Sequence, residues 1–175
     1  QLVVTTNAKF AYSVAAADIN GDGYVDLASS SHNDDKIAWY QNLDGKGTFS
    51  KQLVVTTDAT YALSVIAADM NGDGYVDLVS ASFKDTKIAW YQNLDGKGTF
   101  SKQLIVTTNA GGAHSVVAID INGDGYVDLA SASWNDKKIA WYQNLDGKGT
   151  FGKQLVVTTK ADGASSVVAA DINGD

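Results

Sequence analysis

Hydrophobic and polar residues alternate in short runs along this chain, which predicts β-strands separated by tight turns. In the first part of the chain these runs are 2–6, 13–17, 24–31 and 36–41. The last run is the richest in aromatic and β-branched residues, which favour strands. The segments between the runs are rich in Asn, Asp and Gly, which are typical of turns. No window has the periodicity of a useful amphipathic helix, so the pattern predicts an all-β fold.

The whole pattern repeats every 51 residues. The predicted units of the single domain are 1–51, 52–102, 103–153 and a partial copy, 154–175. A repeat of this length with four short strands is typical of one blade of a β-propeller. The sequence therefore predicts an all-β fold of four-stranded antiparallel blades, about 3.4 of them in this chain.

Side-chain size predicts the strand order within a blade. The runs that begin at Ser13, Ser64, Ser115 and Ser166 consist mostly of Ala, Val and Ser, and small side chains suit the crowded centre of a propeller. We therefore expect these runs to be innermost. The run at Tyr24 should come second, the run with Trp39 third and the run at Leu53 outermost.

Composition and charge exclude several classes of function. The 175 residues include no Cys, which excludes a disulfide framework, a zinc-thiolate site and a cysteine nucleophile. No apolar run approaches the roughly 18 residues of a membrane span. The net charge of −7 argues against nucleic acid as a partner. Because much of the acid lies in loops, cations are the more plausible partners.

The acidic residues form one motif, Asp-x-Asn-x-Asp-Gly-x-x-Asp, in every repeat. In the first copy Asp18, Asn20, Asp22 and Asp26 would supply side-chain oxygens, and Tyr24 would supply its carbonyl. Calcium takes six to eight oxygen ligands and tolerates irregular geometry, whereas magnesium needs a stricter octahedron. The equivalent predicted ligands are Asp69, Asn71, Asp73, Tyr75 and Asp77; Asp120, Asn122, Asp124, Tyr126 and Asp128; and Asp171, Asn173 and Asp175.

The alternative is a polar hairpin turn that binds no metal. Three carboxylates held a few ångströms apart would repel by up to about 4 kcal/mol per pair at an effective dielectric of 20, which a divalent ion would relieve. The loop is not an EF-hand, since Ser29 occupies the twelfth position, where an EF-hand needs Glu, and strands flank it. The sequence therefore predicts a Ca²⁺ ion in each complete loop.

The motif, with the Ser13-Val14-x-Ala16 segment before it and Leu27 after it, resembles FG-GAP/VCBS-type repeats. Such repeats occur in integrin α-chain propellers and in some seven-bladed fungal lectins. The resemblance covers essentially the whole chain. It implies calcium in the loop between the first two strands of each blade, an extracellular or cell-surface location and a role in binding.

Differences between the copies suggest a recognition surface. Residues 36–49 are identical in all three complete copies, whereas changes concentrate at 7–12 and 32–35 and their equivalents, which a four-stranded blade places on one face. Neutral drift is the alternative. The candidate ligand-binding residues are Phe10, Tyr12, His32, Tyr61, Phe83, His114 and Trp134. Trp39 and Tyr40 could stack on sugars, but their recurrence favours a role in the core. The Asp-Gly segment at Asp44 favours a hairpin turn over a second cation loop.

The sequence thus predicts a calcium-stabilised extracellular binding module that recognises glycans or a protein partner and has no catalytic residues. Two alternatives remain: a purely structural repeat scaffold, natural or engineered, and an accessory domain of a secreted enzyme. Closed propellers have four to eight blades. We therefore expect either self-association or a longer chain to complete a ring.

Overall fold

The structure, a computed structural model, describes residues 2–172 and contains three four-stranded antiparallel sheets. The first sheet consists of β1 (Ala11–Ala17), β2 (Asp26–Ser31), β3 (Lys36–Tyr40) and β4 (Leu53–Thr56). The second consists of β5 (Ala62–Ala68), β6 (Asp77–Ser82), β7 (Lys87–Tyr91) and β8 (Leu104–Thr107). The third consists of β9 (Ala113–Ile119), β10 (Asp128–Ser133), β11 (Lys138–Tyr142) and β12 (Leu155–Thr158). Among these described residues, no helix is long and apolar enough to span a membrane.

Strand order within each sheet follows chain order, which confirms the order predicted from side-chain size. The first strands β1, β5 and β9 contact one another from sheet to sheet, so they form the inner side of the assembly. Their small residues allow this close approach. The fourth strand of each sheet comes from the beginning of the following repeat. When the 51-residue repeats are counted from Gln1, each sheet therefore combines three strands of one repeat with one strand of the next. The predicted all-β blade architecture is confirmed.

Two segments predicted to be strands lie outside the sheets, at 2–6 and 166–170. The first has the sequence of an outermost strand and the second that of an innermost strand, but within the described residues neither has a neighbouring strand to share a hydrogen-bond ladder. A third difference is small: β2 begins at Asp26 rather than at Tyr24. Tyr24, the predicted first residue of this strand, belongs to the preceding loop, where its N–H donates to Asp22 Oδ1 (2.9 Å).

The hydrophobic core lies between the sheets. Between the first and second sheets, the buried residues include Ile19, Ile37, Trp39, Val65 and Tyr91. The second and third sheets repeat this arrangement with Met70, Ile88, Trp90, Val116 and Tyr142. Burial of Trp39 and Tyr40 confirms their interpretation as core residues rather than as a sugar-stacking platform.

Candidate calcium-binding loops and aromatic face

Each predicted calcium loop joins the first and second strands of its sheet and is organised around its first Asp. Asp18 Oδ1 accepts hydrogen bonds from the N–H groups of Gly21 (2.8 Å) and Asp22 (3.1 Å). Asp18 Oδ2 accepts one from Gly23 (2.8 Å), whose φ of +87° needs a residue without a Cβ. The same bonds recur around Asp69 and Asp120. The first carboxylate therefore fixes the reversal of the chain.

The third and fifth positions of the loop are bonded to each other. Asn20 Nδ2 donates to Asp22 Oδ2 (2.9 Å), and the N–H of Tyr24 donates to Asp22 Oδ1 (2.9 Å). These bonds favour the ionised carboxylate and lower the pKa of Asp22, as the equivalent bonds lower that of Asp124. The carboxylate at the fifth position is exposed to solvent in all three complete loops.

The ninth position is completely buried. Asp26 Oδ2 accepts the N–H of Ile19 (3.0 Å), and Oδ1 accepts that of Asn42 (2.7 Å). Asp77 and Asp128 make the equivalent pairs of bonds. This carboxylate therefore links the start of the loop to the segment that follows the third strand.

Burial makes the charge at this position unfavourable. Loss of hydration raises the pKa of Asp26 and Asp128, and it raises the pKa of Asp77 to about 7, with the negative charges of Asp73 and Asp69 adding to the effect. The ion pairs between residues 2 and 172 involve Asp34, Asp85, Asp136 and Asp162 and do not reach the three complete loops. These loops therefore hold several carboxylates, one of them buried, without a cationic side chain.

The donor set fits a divalent ion that prefers oxygen. Every predicted ligand supplies oxygen, and a carboxylate oxygen that accepts one N–H retains a second lone pair. In the described part of the chain, however, no three acidic or histidine side chains form a ready-made metal cluster. The ligand set therefore stays a prediction. Asp171 is exposed, and Asn173 and Asp175 lie outside the described residues.

Two polar residues that support the loop were missed at the sequence level. Gln41 Nε2 donates to Asp22 Oδ2 (3.3 Å), and the backbone of Asn42 bonds to the buried Asp26. Gln92, Gln143, Asn93 and Asn144 repeat these contacts in the other sheets. The signal that could have found them is the identity of residues 36–49 in all three complete copies.

The predicted Asp-Gly hairpin turn lies beside the acidic loop. Asp44 Oδ1 accepts the N–H groups of Lys46 (2.8 Å) and Thr48 (3.1 Å), and Asn42 pairs with Phe49 across the turn. The Tyr24 ring covers Gly45 so closely that a Cβ there would lie 2.6 Å from it. The acidic loop and the turn therefore occupy one end of the sheet.

The variable loops meet at the opposite end and bring the predicted ligand-binding residues into two clusters. In the first cluster, the rings of His32 and Tyr61 stack with centroids 4.1 Å apart. Phe10 contacts His32 at 5.7 Å, and Lys84 Nζ lies 5.0 Å from the Tyr61 ring centroid. This cluster joins loops of the first and second sheets.

The second cluster is centred on His114 of the third sheet. Its ring stacks on Trp134 at 6.0 Å and meets Phe83 edge-on at 6.5 Å. Tyr12 Oη lies 3.3 Å from His114 Nε2, so the cluster also reaches the first sheet. Phe10, Tyr12 and Trp134 are exposed, although they belong to residue types that fold more often towards a core. All three sheets therefore contribute to an aromatic face, defined as these seven residues and Lys84.

A comparison with known families accounts for the acidic loops and the sheets together. The FG-GAP-like repeat matches three overlapping stretches, residues 18–80, 69–131 and 120–175, which together leave out only the first 17 residues. Each stretch begins at the first Asp of a loop and extends into the following repeat. The chain therefore belongs to the FG-GAP-like repeat family, and its three four-stranded sheets are propeller blades built from those repeats.

Proposed function

We propose that this chain is a calcium-stabilised, non-enzymatic binding module of the extracellular space that recognises a glycan through its aromatic face. One observation carries the proposal: residues from the variable loops of all three blades converge in two clusters of contacting rings. The acidic loops lie at the opposite ends of the same sheets. One end would thus be held by metal, and the other would be free to vary for recognition.

Backbone strain supports a role for the aromatic residues in binding. Phe10 and Tyr61 adopt φ values of +58° and +56°, in the left-handed region that is unfavourable for bulky side chains by about 1–2 kcal/mol. The equivalent positions in the next two repeats are Gly112 and Gly163, at +69° and +67°. Glycine adopts this conformation without strain, so an aromatic residue here has a cost that recognition would explain.

The chemistry of the aromatic face suits a sugar. The apolar C–H face of a pyranose packs against an exposed aromatic ring, while its hydroxyl groups need polar partners nearby. Trp134 offers such a ring beside the polar side chains of Asn135 and Lys137, and Phe10 lies next to Lys9 and Asn33. Tyrosine and tryptophan provide this amphipathic contact with few rotatable bonds.

In the acidic loops, calcium would be held by the predicted oxygen ligands. The ion would supply positive charge, which offsets the burial of the ninth-position carboxylate and the repulsion among its neighbours. Since the unfolded chain lacks the assembled loop, binding would add to folding stability.

Thermal melting with millimolar calcium and with chelator tests the metal. We expect calcium to raise the Tm and chelator to lower it. Asp22, Asp73 and Asp124, each changed to Ala, should abolish most of this shift. The matched control changes Asp44, Asp95 and Asp146 to Ala, which removes one Asp from the neighbouring turn of each blade. The control should lower the Tm in calcium and in chelator alike and keep the difference between the two. Equal shifts in the two triple variants would contradict the assignment.

A glycan array probed with the calcium-loaded chain tests recognition. We expect binding to a limited set of glycans and its loss in Trp134→Ala and in Tyr61→Gly, which leave the acidic loops intact. Leu43→Ala, at an exposed position on the opposite end, should bind normally. If binding is confined to protein ligands, the aromatic face is a protein-binding surface. If neither glycans nor extracellular proteins bind, a purely structural role is favoured.

A further inference from the structure

A buried asparagine lies at each interface between successive blades, next to the acidic loop of the earlier blade. Asn93, which follows the third strand of the second blade, donates from Nδ2 to the carbonyl of Ile19 in the loop of the first blade (2.8 Å). Asn144 of the third blade donates in the same way to the carbonyl of Met70 in the loop of the second (2.9 Å). Both asparagines are completely buried. The acidic loops of the first two blades are therefore each bonded to the blade that follows.

The carbonyl that accepts this bond lies between two predicted calcium ligands. Ile19 is the second loop position, directly after Asp18 and directly before Asn20. Its N–H donates to Asp26 Oδ2 (3.0 Å), so the peptide groups on both sides of Ile19 are held by hydrogen bonds. Met70 is held in the same way in the second blade. The following blade thus helps to fix the backbone that orients the first and third loop positions, which is the role of outer-shell groups around a metal.

Each of these asparagines also holds the acidic loop of its own blade. The Asn93 N–H donates to Asp77 Oδ1 (2.7 Å), and Nδ2 donates a second bond to the carbonyl of Val76, the eighth loop position (3.2 Å). Asn93 Oδ1 accepts the N–H of Gly98 (3.1 Å), so both donors and the acceptor of the amide are used. Asn144 repeats these bonds in the third blade. One side chain therefore holds the loops of two blades at once.

Together these bonds form one buried chain that joins the ninth-position aspartates of the three loops. In order, its members are Asp26, Ile19, Asn93, Asp77, Met70, Asn144 and Asp128. The donor–acceptor distances along it lie between 2.7 and 3.0 Å. No member is more than 1% exposed. Because water does not compete for these groups, each bond is stronger than it would be at the surface.

The backbone of each of these loops also lies close to a turn of the following blade. At the fourth loop position, a Cβ on Gly72 would lie 3.4 Å from the carbonyl oxygen of Gly147, and one on Gly21 would lie 3.6 Å from that of Gly96. Gly96 and Gly147 belong to the Asp-Gly turns. A change in the shape of one acidic loop is therefore transmitted to the neighbouring blade through packing as well as through hydrogen bonds.

We propose that Asn93 and Asn144 are positioning residues shared by the acidic loops of successive blades, so that calcium bound in one loop raises the calcium affinity of its neighbour. This inference rests on the calcium sites proposed above. Binding in one loop would order the shared asparagine and the peptide groups that it holds, and the entropy of ordering them is lost only once. Such coupling acts equally in both directions between the two loops.

Calorimetric titration of calcium into two variants, each with two of the three complete loops intact, tests the coupling. Asp124→Ala leaves adjacent loops intact, in the first and second blades, whereas Asp73→Ala leaves separated loops, in the first and third. Both changes remove an exposed carboxylate at the fifth position, so both variants should fold. In Asp124→Ala we expect the second ion to bind about fivefold or more tightly than the first, after statistical correction. In Asp73→Ala the two ions should bind independently.

A second titration assigns the positioning role to the asparagines. When Asp73 and Asp124 are both changed to Ala, the first loop is the intact one, and Asn93→Ala should weaken its calcium affinity about tenfold or more. Asn144→Ala, the matched control, should leave this loop unchanged, because its bonds go to the second and third loops. When Asp22 and Asp73 are changed instead, the third loop is intact and the two effects should be exchanged.

The exchange of effects separates positioning from a general loss of stability. Both asparagine variants remove the same side chain from equivalent buried positions, so a merely structural role would weaken calcium binding equally in both backgrounds. Such equal weakening, or cooperativity that is the same in Asp124→Ala and Asp73→Ala, would overturn the proposal. The first titration changes only exposed residues, so it decides the coupling even if an asparagine variant does not fold. A wild-type chain that binds no calcium would overturn the calcium sites themselves, whereas independent binding would overturn only their coupling.

Discussion

The buried aspartate at the ninth loop position connects three parts of each blade. In the second blade, Asp77 accepts the N–H groups of Met70 (3.0 Å) and Asn93 (2.7 Å), so it joins the acidic loop to the end of the third strand. Its side chain thus has a structural role in the blade even before a metal is considered. By contrast, the exposed carboxylates of the same loop accept hydrogen bonds from groups within the loop and from Gln92.

Changing Asp77 to Ala should therefore destabilise the chain in metal-free buffer. Two buried N–H groups would lose their acceptor at a cost of about 1–3 kcal/mol each, partly offset because no carboxylate is buried. We expect a loss of roughly 2 kcal/mol in the free energy of unfolding measured with urea. Asp95→Ala, at an exposed turn, is the control and should cost clearly less. Equal losses would show that the bonds of Asp77 contribute little.

At the level of elements, blades are held together by shape as much as by hydrophobicity. The turn after the third strand places Gly98 directly against Trp39 of the preceding blade. Gly98 and Gly47 have φ values of +89° and +95°, so a side chain at either position would suffer similar backbone strain. Only one of the two contacts a neighbouring blade.

Comparing the same substitution at Gly98 and at Gly47 separates the effect of interblade packing from that of backbone strain. Gly98→Ala should lower the free energy of unfolding by about 2 kcal/mol more than Gly47→Ala, because only the former forces the tryptophan away. Urea unfolding monitored by tryptophan fluorescence measures the difference. A difference near zero would mean that the interface relaxes without cost.

The three blades form a short array in which the main packing is between successive blades, while Tyr12 and His114 also join the first blade to the third at the aromatic face. The middle blade is covered on both faces, whereas the outer blades are each covered on one. Stability in such arrays is approximately a sum of the intrinsic stability of each unit and of its interfaces. The middle blade should therefore unfold locally least often.

Hydrogen exchange measured by mass spectrometry checks this expectation. Peptides covering 27–40, 78–91 and 129–142 are equivalent in the three blades but differ in mass, so each blade can be followed separately. We expect the middle peptide to exchange most slowly. Uniform exchange would indicate that the three blades unfold as one unit.

Much of the architecture could be predicted because it depends on local sequence. The Ala- and Ser-rich innermost strands, the third strands with Trp39 and its copies, and the Asp-Gly turns were all predicted from residue type and spacing. The convergence of Phe10, His32 and Tyr61 followed from placing their loops at one end of the blade. The roles of Gln41 and Asn42 were not predicted, because their partners lie 16 to 19 residues away.

The sequence by itself determined the all-β blades, their strand order and the acidic loops, since alternation, side-chain size and turn residues act over a few positions. Tertiary structure alone decided which faces of these blades are covered by a neighbouring blade. Residues 36–49 and 87–100 have the same sequence, yet Gly98 packs on a tryptophan and Gly47 on nothing. Likewise, the strand-like run at 2–6 forms no strand. The physical reason is that burial and strand pairing depend on a neighbouring surface, which no local sequence contains.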